Sequence, residues 1–403
     1  YVKVISFGRD GKPEAINEYP RLFRNNPNYR FEGRIHEQIS NSILKNGGKL
    51  GRADIKIIHL GYAQDDETMS RKYERNLSIL FEQLKENPND AYALYHIGIV
   101  KILKGEINEG ISFLRKSISI PRESSNLGNS VRAVIYNVLG KHELQNGDQT
   151  TALDLFIKSI KQAPLQVSSY YYAGIAQMKR FNFTVAKNFF EQALKNQQAI
   201  LKGKSPDVAF ENFINPNDIF YQLSICYFKI GNFKKLNEMI ENFVKEENLI
   251  NSFLNFLANE YISGNKNSIQ VLKQISQTNP SFEVFKVLSG IAQFEGDLET
   301  AVERLKTALS FKDDDEIRYN LGLCLVGLRR FEEAIGYLRE FLNRENSTFF
   351  ERAVKVLGLS YLACGNYADA LRCYKTLSNF NPTDEEIKKR IISISMRLST
   401  PTK

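Results

Sequence analysis

Residues 140–164 read GKHELQNGDQTTALDLFIKSIKQAP, and the fold follows from this stretch. Gly140 and Ala152, twelve residues apart, are small residues set inside two runs of helical periodicity. Gly147 falls between the runs and Pro164 follows the second. Phe156 and Ser159 lie four and seven residues after Ala152, which places all three on one face of the second helix. Small residues let two helices approach closely, a left-handed glycine ends the first, and a proline cannot continue the second. The stretch therefore predicts a pair of helices folded against each other as a hairpin.

The same arrangement recurs along the chain, anchored by a small residue inside each first helix. The anchors are Gly98, Gly140, Gly174, Ser224, Ala258, Ser289, Gly322 and Gly358. They are separated by 42, 34, 50, 34, 31, 33 and 36 residues, five of the seven steps lying within three of 34. This resembles the tetratricopeptide repeat, in about eight copies over residues 88–383. Phe156, Phe190, Leu305, Leu338 and Tyr374 are the bulky residues expected to fill the spaces between hairpins, and Gly147, Gly231, Gly296 and Gly365 end first helices. The 42-residue step holds a polar loop, PRESSNLGN at 121–129, and the 50-residue step holds 203–218 as a loop or an extended first helix. The copy around Ala258 is the least faithful. Residues 384–403 read as an amphipathic capping helix and tail. The predicted class is mostly α, a tetratricopeptide α-solenoid preceded by a small α/β piece.

With 42% hydrophobic and 25% charged residues in 403, the composition is that of a soluble globular protein, not of a disordered or collagen-like chain. No run reaches the ~18 apolar residues of a membrane-spanning helix. No basic stretch leads into an apolar run at Tyr1, so we expect no signal peptide, and the start without methionine suggests a cut inside a longer protein. Cys226, Cys324, Cys364 and Cys373 form no CxxC pair and fall on helical patterns, which predicts core thiols and a cytoplasmic location. Residues 1–62 contribute +5 of the +8 net charge, suggesting an anionic ligand there. The repeats carry only +3 with no regular basic ladder, which disfavours nucleic acid.

The opening departs from the repeat. Residues 2–7 alternate as a strand, 8–13 (GRDGKP) read as a turn, 19–24 as a second strand and 25–28 (NNPN) as a second turn. Residues 29–35 read as extended, 36–45 as a helix closed by Gly47 and Gly48, and 55–60 as a further strand. Such a piece cannot enclose a core alone. The succession RLFRN (21–25), FEGRIHEQI (31–39), HLGY (59–62) and KYERNLSIL (72–80), followed by repeats, resembles family 2 glycosyltransferases of GT-A fold with C-terminal tetratricopeptide repeats. That group includes peptide S-glycosyltransferases. On this resemblance residues 1–65 are the C-terminal portion of a GT-A domain and 66–87 a linking helix. Such enzymes carry an Asp-x-Asp metal motif in a nucleotide-binding half. Residues 1–62 contain no such motif, and a divalent metal (Mg or Mn) is expected only with that half.

The resemblance implies a nucleotide-sugar ligand and a set of site residues. Transfer requires neutralising the leaving diphosphate, deprotonating the acceptor and holding both in line. Glu37 stands where such an enzyme's general base would, although a carboxylate in a first helical turn is also favoured by the helix dipole alone. Arg21, Arg24 and Arg34 could grip phosphate oxygens, or be solvated or ion-paired arginines. If 19–24 is a strand, Arg21 and Arg24 face opposite sides. His36 could contact metal or diphosphate, or serve as a capping or packing residue. His59, His96 and His142 read as structural.

In tetratricopeptide arrays the fifth position of each unit tends to face the inner groove. Here it is Tyr95, Asn137, Tyr171, Tyr221, Asn255, Lys286, Tyr319 and Lys355. Tyr and Asn suit hydrogen bonding to an extended peptide, or they pack on the next hairpin. The ninth positions are mostly apolar (Ile99, Ile175, Ile225, Leu323, Leu359), which disfavours a clamp for a C-terminal carboxylate. The resulting expectation is the C-terminal part of a glycosyltransferase, inactive by itself, whose array holds a protein or peptide acceptor. The rival is a non-enzymatic interaction scaffold.

Overall fold

A computed structural model describes residues 1–7, 13–32, 37, 39–51, 53–59, 66–205, 208, 211–243, 247–342 and 349–399. The chain divides into two units, residues 1–243 and 244–403. Each is a run of antiparallel helix hairpins, so the chain is mostly α with tetratricopeptide-type architecture.

The first unit opens with β1 (Val2–Phe7), β2 (Pro13–Tyr19), the short helix α1 (Ser40–Lys45) and β3 (Lys56–His59). β1 pairs antiparallel with β2 and parallel with β3. Val2, Val4 and Ser6 are buried, the period-2 pattern of a strand with one face on a core. The second strand is β2 at 13–19 and not 19–24 as the sequence suggests. Pro20 lacks the N–H that would continue the ladder, and 20–26 have no regular structure. The turn read at 8–13 falls largely outside the described residues, as does the start of the helix read at 36–45.

Helix α2 (Asp66–Glu86) follows and packs Leu77 and Leu80 against Ala93, Ile97 and Val100 of α3 (Ala91–Leu103). The hairpins of this unit are α3 with α4 (Ile107–Ser119), α5 (Asn129–Gln145) with α6 (Gln149–Gln162), α7 (Ser168–Lys179) with α8 (Phe183–Leu201), and α9 (Pro216–Lys229) with α10 (Phe233–Phe243). The closest approaches occur where the anchors predict them. A Cβ placed on Gly98, Gly140 or Gly174 would lie 2.6–2.8 Å from Leu114, Phe156 or Phe190, each sixteen residues further on. The second helix is then tied back by hydroxyls, Ser117 donating to the Ala91 carbonyl at 2.7 Å and Ser159 to that of Ala133 at 2.6 Å.

Asp90 joins α2, α3 and the loop of the 42-residue step. It caps α3 by accepting from the Ala93 N–H at 2.9 Å, and accepts from Gln83 at 2.7 Å and Asn126 at 2.8 Å. Burial alone would raise this carboxyl, but the bonds from Ala93, Asn126, Gln83 and Tyr92 hold it below its ordinary range.

The 50-residue step differs from its sequence reading. The extended helix is the second of its hairpin, α8 at 19 residues. Val208 packs against the core of α3–α5, and β4 (Glu211–Asn212) pairs antiparallel with β2, giving a sheet of order β3-β1-β2-β4. A strand of the opening sheet is thus supplied by the connection between α8 and α9.

The second unit holds α11 (Glu247–Ile262) with α12 (Asn267–Thr278), α13 (Phe282–Glu295) with α14 (Leu298–Phe311), α15 (Asp315–Gly327) with α16 (Phe331–Leu342), and α17 (Phe350–Ala363) with α18 (Tyr367–Phe380). Gly322 and Gly358 meet Leu338 and Tyr374 as in the first unit. Asp314, within the acidic run 313–315, caps α15 by accepting from the Ile317 N–H at 3.2 Å. The final helix α19 (Glu385–Ser399) starts on Asp384, which accepts from the Glu386 and Ile387 N–H groups at 2.8 and 3.2 Å.

The fifth copy is out of register with its predicted anchor. Its turn glycine, Gly264, lies six residues after Ala258, where the other copies have seven. Phe253, Leu254 and Leu257 are fully buried while Asn255 is exposed. The eight turn positions share a left-handed backbone, and two of them lack glycine, Phe181 and Arg329, both at φ 59°.

Candidate functional site

The first helices of successive hairpins converge on one face of the first unit. In α7, Tyr171 and Tyr172 meet edge to face, ring centres 5.2 Å apart. Tyr171 leans on Phe190 of its own hairpin at 5.7 Å, and Tyr172 stacks on Phe156 of the preceding one at 6.0 Å. From α5, Lys141 places its ammonium 4.4 Å from the centre of the Tyr172 ring. From α9, Gln222 hydrogen-bonds the Tyr171 hydroxyl, and the Asp218 carboxylate acts electrostatically on both phenols. Three helices of three hairpins thus supply one polar, aromatic surface.

Its electrostatics are those of a partly shielded face. Burial first, and the Asp218 charge second, push the Tyr171 phenol up to about 12, and the same two causes raise Tyr172. Tyr221, one turn beyond Asp218, is also raised by burial. Asp218 is exposed at the start of α9, where a helix dipole would lower its carboxyl, yet desolvation raises it.

The predicted groove residues divide. Tyr171 and Tyr221 are half-buried and belong to this face. Tyr95 is buried with Tyr92 and His96 against its ring. Asn137 is buried and donates to the Ser168 hydroxyl of the next hairpin at 2.6 Å. In the second unit Tyr319 is buried and stacks on Phe349, the ring centres 5.1 Å apart. Asn255 is exposed for the register reason given above. Lys286 pairs with Glu316 of the next hairpin at 2.7 Å. Tyr172, Asp218 and Gln222 were not singled out by the sequence reading. The signal available was the second and sixth positions of the repeat, beside the fifth.

Of the residues placed at a transferase centre, Glu37, Arg21 and Arg24 are exposed and make no contact with one another, and Arg21 lies over the Tyr19 ring at 5.3 Å. Arg34 and His36 lie outside the described residues. His59 faces the Ser6 hydroxyl at 3.4 Å. Among the described residues no three His, Cys, Asp or Glu side chains are grouped to hold a metal, and no helix is long and apolar enough to cross a membrane. Cys226, Cys324 and Cys373 are buried thiols, and Cys364 is exposed.

Comparison with known proteins bears on the repeats first. A family model described as tetratricopeptide repeat matches residues 291–348. TPR repeat-containing protein MJ1428 of Methanocaldococcus jannaschii is 22% identical over 89% of this chain and 69% of its own length. The SPbeta prophage-derived glycosyltransferase SunS of Bacillus subtilis is 29% identical over 102 residues, 25% of this chain and 23% of that protein. Among solved structures, MamA aligns with 45% of this chain and 91% of its own at 17% identity and a TM-score of 0.33. The TPR domain of P58(IPK) aligns with 82% and 98% at 14% identity and 0.30. The hairpins with their glycine anchors and the matched family model define tetratricopeptide repeats. A glycosyltransferase is similar to a quarter of the chain only.

Proposed function

We propose that this protein is an interaction scaffold whose first unit holds an extended protein segment across α5, α7 and α9. The observation that carries this reading is the surface of Lys141, Tyr171, Tyr172, Asp218 and Gln222, contributed by three hairpins. Repetition of one unit places such residues at regular intervals, suited to the regular spacing of an extended backbone. Half-buried tyrosines offer apolar area and a hydroxyl while losing little entropy on binding. Crosslinking within cells through a photoreactive residue at Tyr221, with Ile107 on a second helix as control site, tests it. Discrete adducts formed from Tyr221 and not from Ile107 support the scaffold; equal labelling from both refutes it.

A second reading keeps the transferase. Its support is the partial likeness to SunS together with the state of β3. β3 is a parallel strand carrying apolar Ile57 and Ile58 on opposite faces, and both are exposed. Strands of that kind are ordinarily covered on both faces by further α/β structure. In that protein the scaffold would present a peptide acceptor, Glu37 would serve as base, and Arg21, Arg24, Arg34 and His36 would face a nucleotide-sugar with Mg or Mn. Titration of UDP and GDP, with and without Mn²⁺, against the longest open reading frame containing this chain tests it. Absence of binding removes the transferase and leaves the scaffold.

A further inference from the structure

We propose that the adjoining turns of α7–α8 and α9–α10 form a docking edge for an anionic lipid surface, into which Phe181 inserts while Lys179, Arg180, Lys229 and Lys234 meet the headgroups. These turns lie at the opposite end of α7 from Tyr171 and Tyr172. The inference therefore goes beyond the scaffold reading and does not depend on it.

The charge pattern singles out these two turns. Within four residues on either side of the left-handed position, Lys179 and Arg180 give +2 around Phe181, and Lys229, Lys234 and Lys235 give +3 around Gly231. The other six turns carry 0, −2, 0, −3, 0 and −1 in chain order. No Asp or Glu occurs in residues 155–190 or 219–237. Lys235 pairs with Glu238 at 2.6 Å. Lys179, Arg180 and Lys234 are exposed and have no carboxylate partner among the described residues. The two turns touch: Lys229 of α9 places its ammonium 5.6 Å from the centre of the Phe183 ring, and Phe183 meets Phe181 edge to face at 6.4 Å.

The apolar element is Phe181. It is 80% exposed, so the protein itself gives its ring almost no cover, and Val185 and Ile230 are exposed on the same two turns. Its φ of 59° is a conformation that L-residues adopt at a cost and that six of the eight turns give to glycine. Neither burial nor backbone favours phenylalanine here, which points to a contribution made outside the folded chain. The turn that carries it is well tied. The Phe181 N–H donates to the Met178 carbonyl and the Asn182 N–H to that of Gln177, both at 2.9 Å, and the Asn182 amide donates to Gln177 Oε1 at 3.0 Å. A ring standing clear of a turn offers no walls to an extended acidic peptide. A bilayer, in contrast, accepts an inserted aromatic side chain and presents a plane of negative charge to the cations around it. A single apolar anchor attaches weakly, and a basic patch supplies the second signal that peripheral attachment requires.

The test is co-sedimentation of the whole 403-residue chain with vesicles of phosphatidylcholine, with and without about 30% phosphatidylglycerol, at about 0.1 M salt. The chain should sediment with the anionic vesicles and not with the neutral ones, and less as salt rises. Arg180→Gln combined with Lys229→Gln should lower the partition coefficient about 25-fold, about fivefold for each cation. Phe181→Gly should lower it about tenfold while hydrogen exchange shows its hairpin intact. Leu103→Ser, at an exposed apolar position beside the neutral α3–α4 turn, should leave it unchanged. Equal sedimentation with neutral and anionic vesicles, sedimentation with neither, or undiminished binding by the Phe181 and Arg180/Lys229 variants overturns the proposal and leaves the scaffold standing. Binding of a soluble peptide of Glu and Leu through Phe181 and Arg180, without binding of vesicles, assigns the edge to an acidic protein segment and overturns it as well.

Discussion

The contact that sets hairpin geometry can be broken by a single methyl group. In Gly174→Ala the new Cβ would lie 2.6, 2.7 and 2.9 Å from three ring atoms of Phe190, where ordinary contact begins near 3.4 Å. Phe190 is fully buried and backed by Tyr171, so its ring has no free direction in which to move. Overpacking of this kind costs about 1–3 kcal/mol, and the confined ring puts the value near the top of that range. Alanine returns about 1 kcal/mol of helix propensity, leaving a net loss of about 2 kcal/mol. The same change at Gly336, an exposed position of α16 with nothing within 4 Å, should instead gain about 0.5–1 kcal/mol. Because the chain has two units, global unfolding need not be two-state, and amide hydrogen exchange within α7 and α8 gives the local value. Gly174→Ala should speed exchange there by about thirtyfold, and adding Phe190→Leu should recover part of the loss. Unchanged or slower exchange in Gly174→Ala, or no coupling with Phe190→Leu, would refute the close-approach explanation of the anchors.

Four further outcomes are expected. Phe181→Gly and Arg329→Gly relieve left-handed backbone at positions where the other turns have glycine, and each should stabilise its own hairpin by about 1 kcal/mol in hydrogen exchange. Asp90→Ala removes a cap and two side-chain bonds and should cost about 2 kcal/mol; since the folded carboxyl is lowered, this contribution is present above its unfolded pKa and lost as pH falls, so wild type and variant should converge in acid denaturation. Burial pushes Cys226 up to about 12 and Cys324 and Cys373 up to about 11, so a chromogenic disulfide reagent at pH 8 should find only Cys364 in the native protein and four thiols after denaturation. The raised thiols also imply stability that is complete below pH ~9 and falls as pH climbs towards 11–12, because the unfolded thiols ionise first.

What the sequence could disclose followed from the range of the interactions involved. The hairpins were legible because their determinants are local: Gly140 and Phe156 are sixteen residues apart and mark one contact, and the pattern recurs often enough to outvote a poor copy. Where only one copy spoke, register slipped. Ala258 is the small residue at which the spacing predicts an anchor, whereas the turn at Gly264 and the buried Phe253 and Leu254 displace the helix faces and turn Asn255 outward. Long-range pairings left no such trace. Nothing in ENFINPND at 211–218 announces that Glu211 and Asn212 will pair with Ile16 and Ala15, since a two-residue strand has no period to detect.

The same distinction explains the candidate site. Fifth positions read as groove residues by analogy between copies, but their fate depends on the neighbouring hairpin, which differs from copy to copy. Tyr319 meets Phe349 and is absorbed into a stack; Asn137 meets Ser168 and is absorbed into a hydrogen bond. Tyr171 feels the Asp218 charge across the hairpin boundary and stays half-buried. A repeat therefore dictates where a side chain stands, while the residue opposite it decides whether that position becomes core or polar surface. Asp218 sits at the second position, where the other three hairpins of its unit carry Tyr92, Val134 and Ser168. Its departure from the repeat, more than any agreement with it, is what sets this position apart from its counterparts.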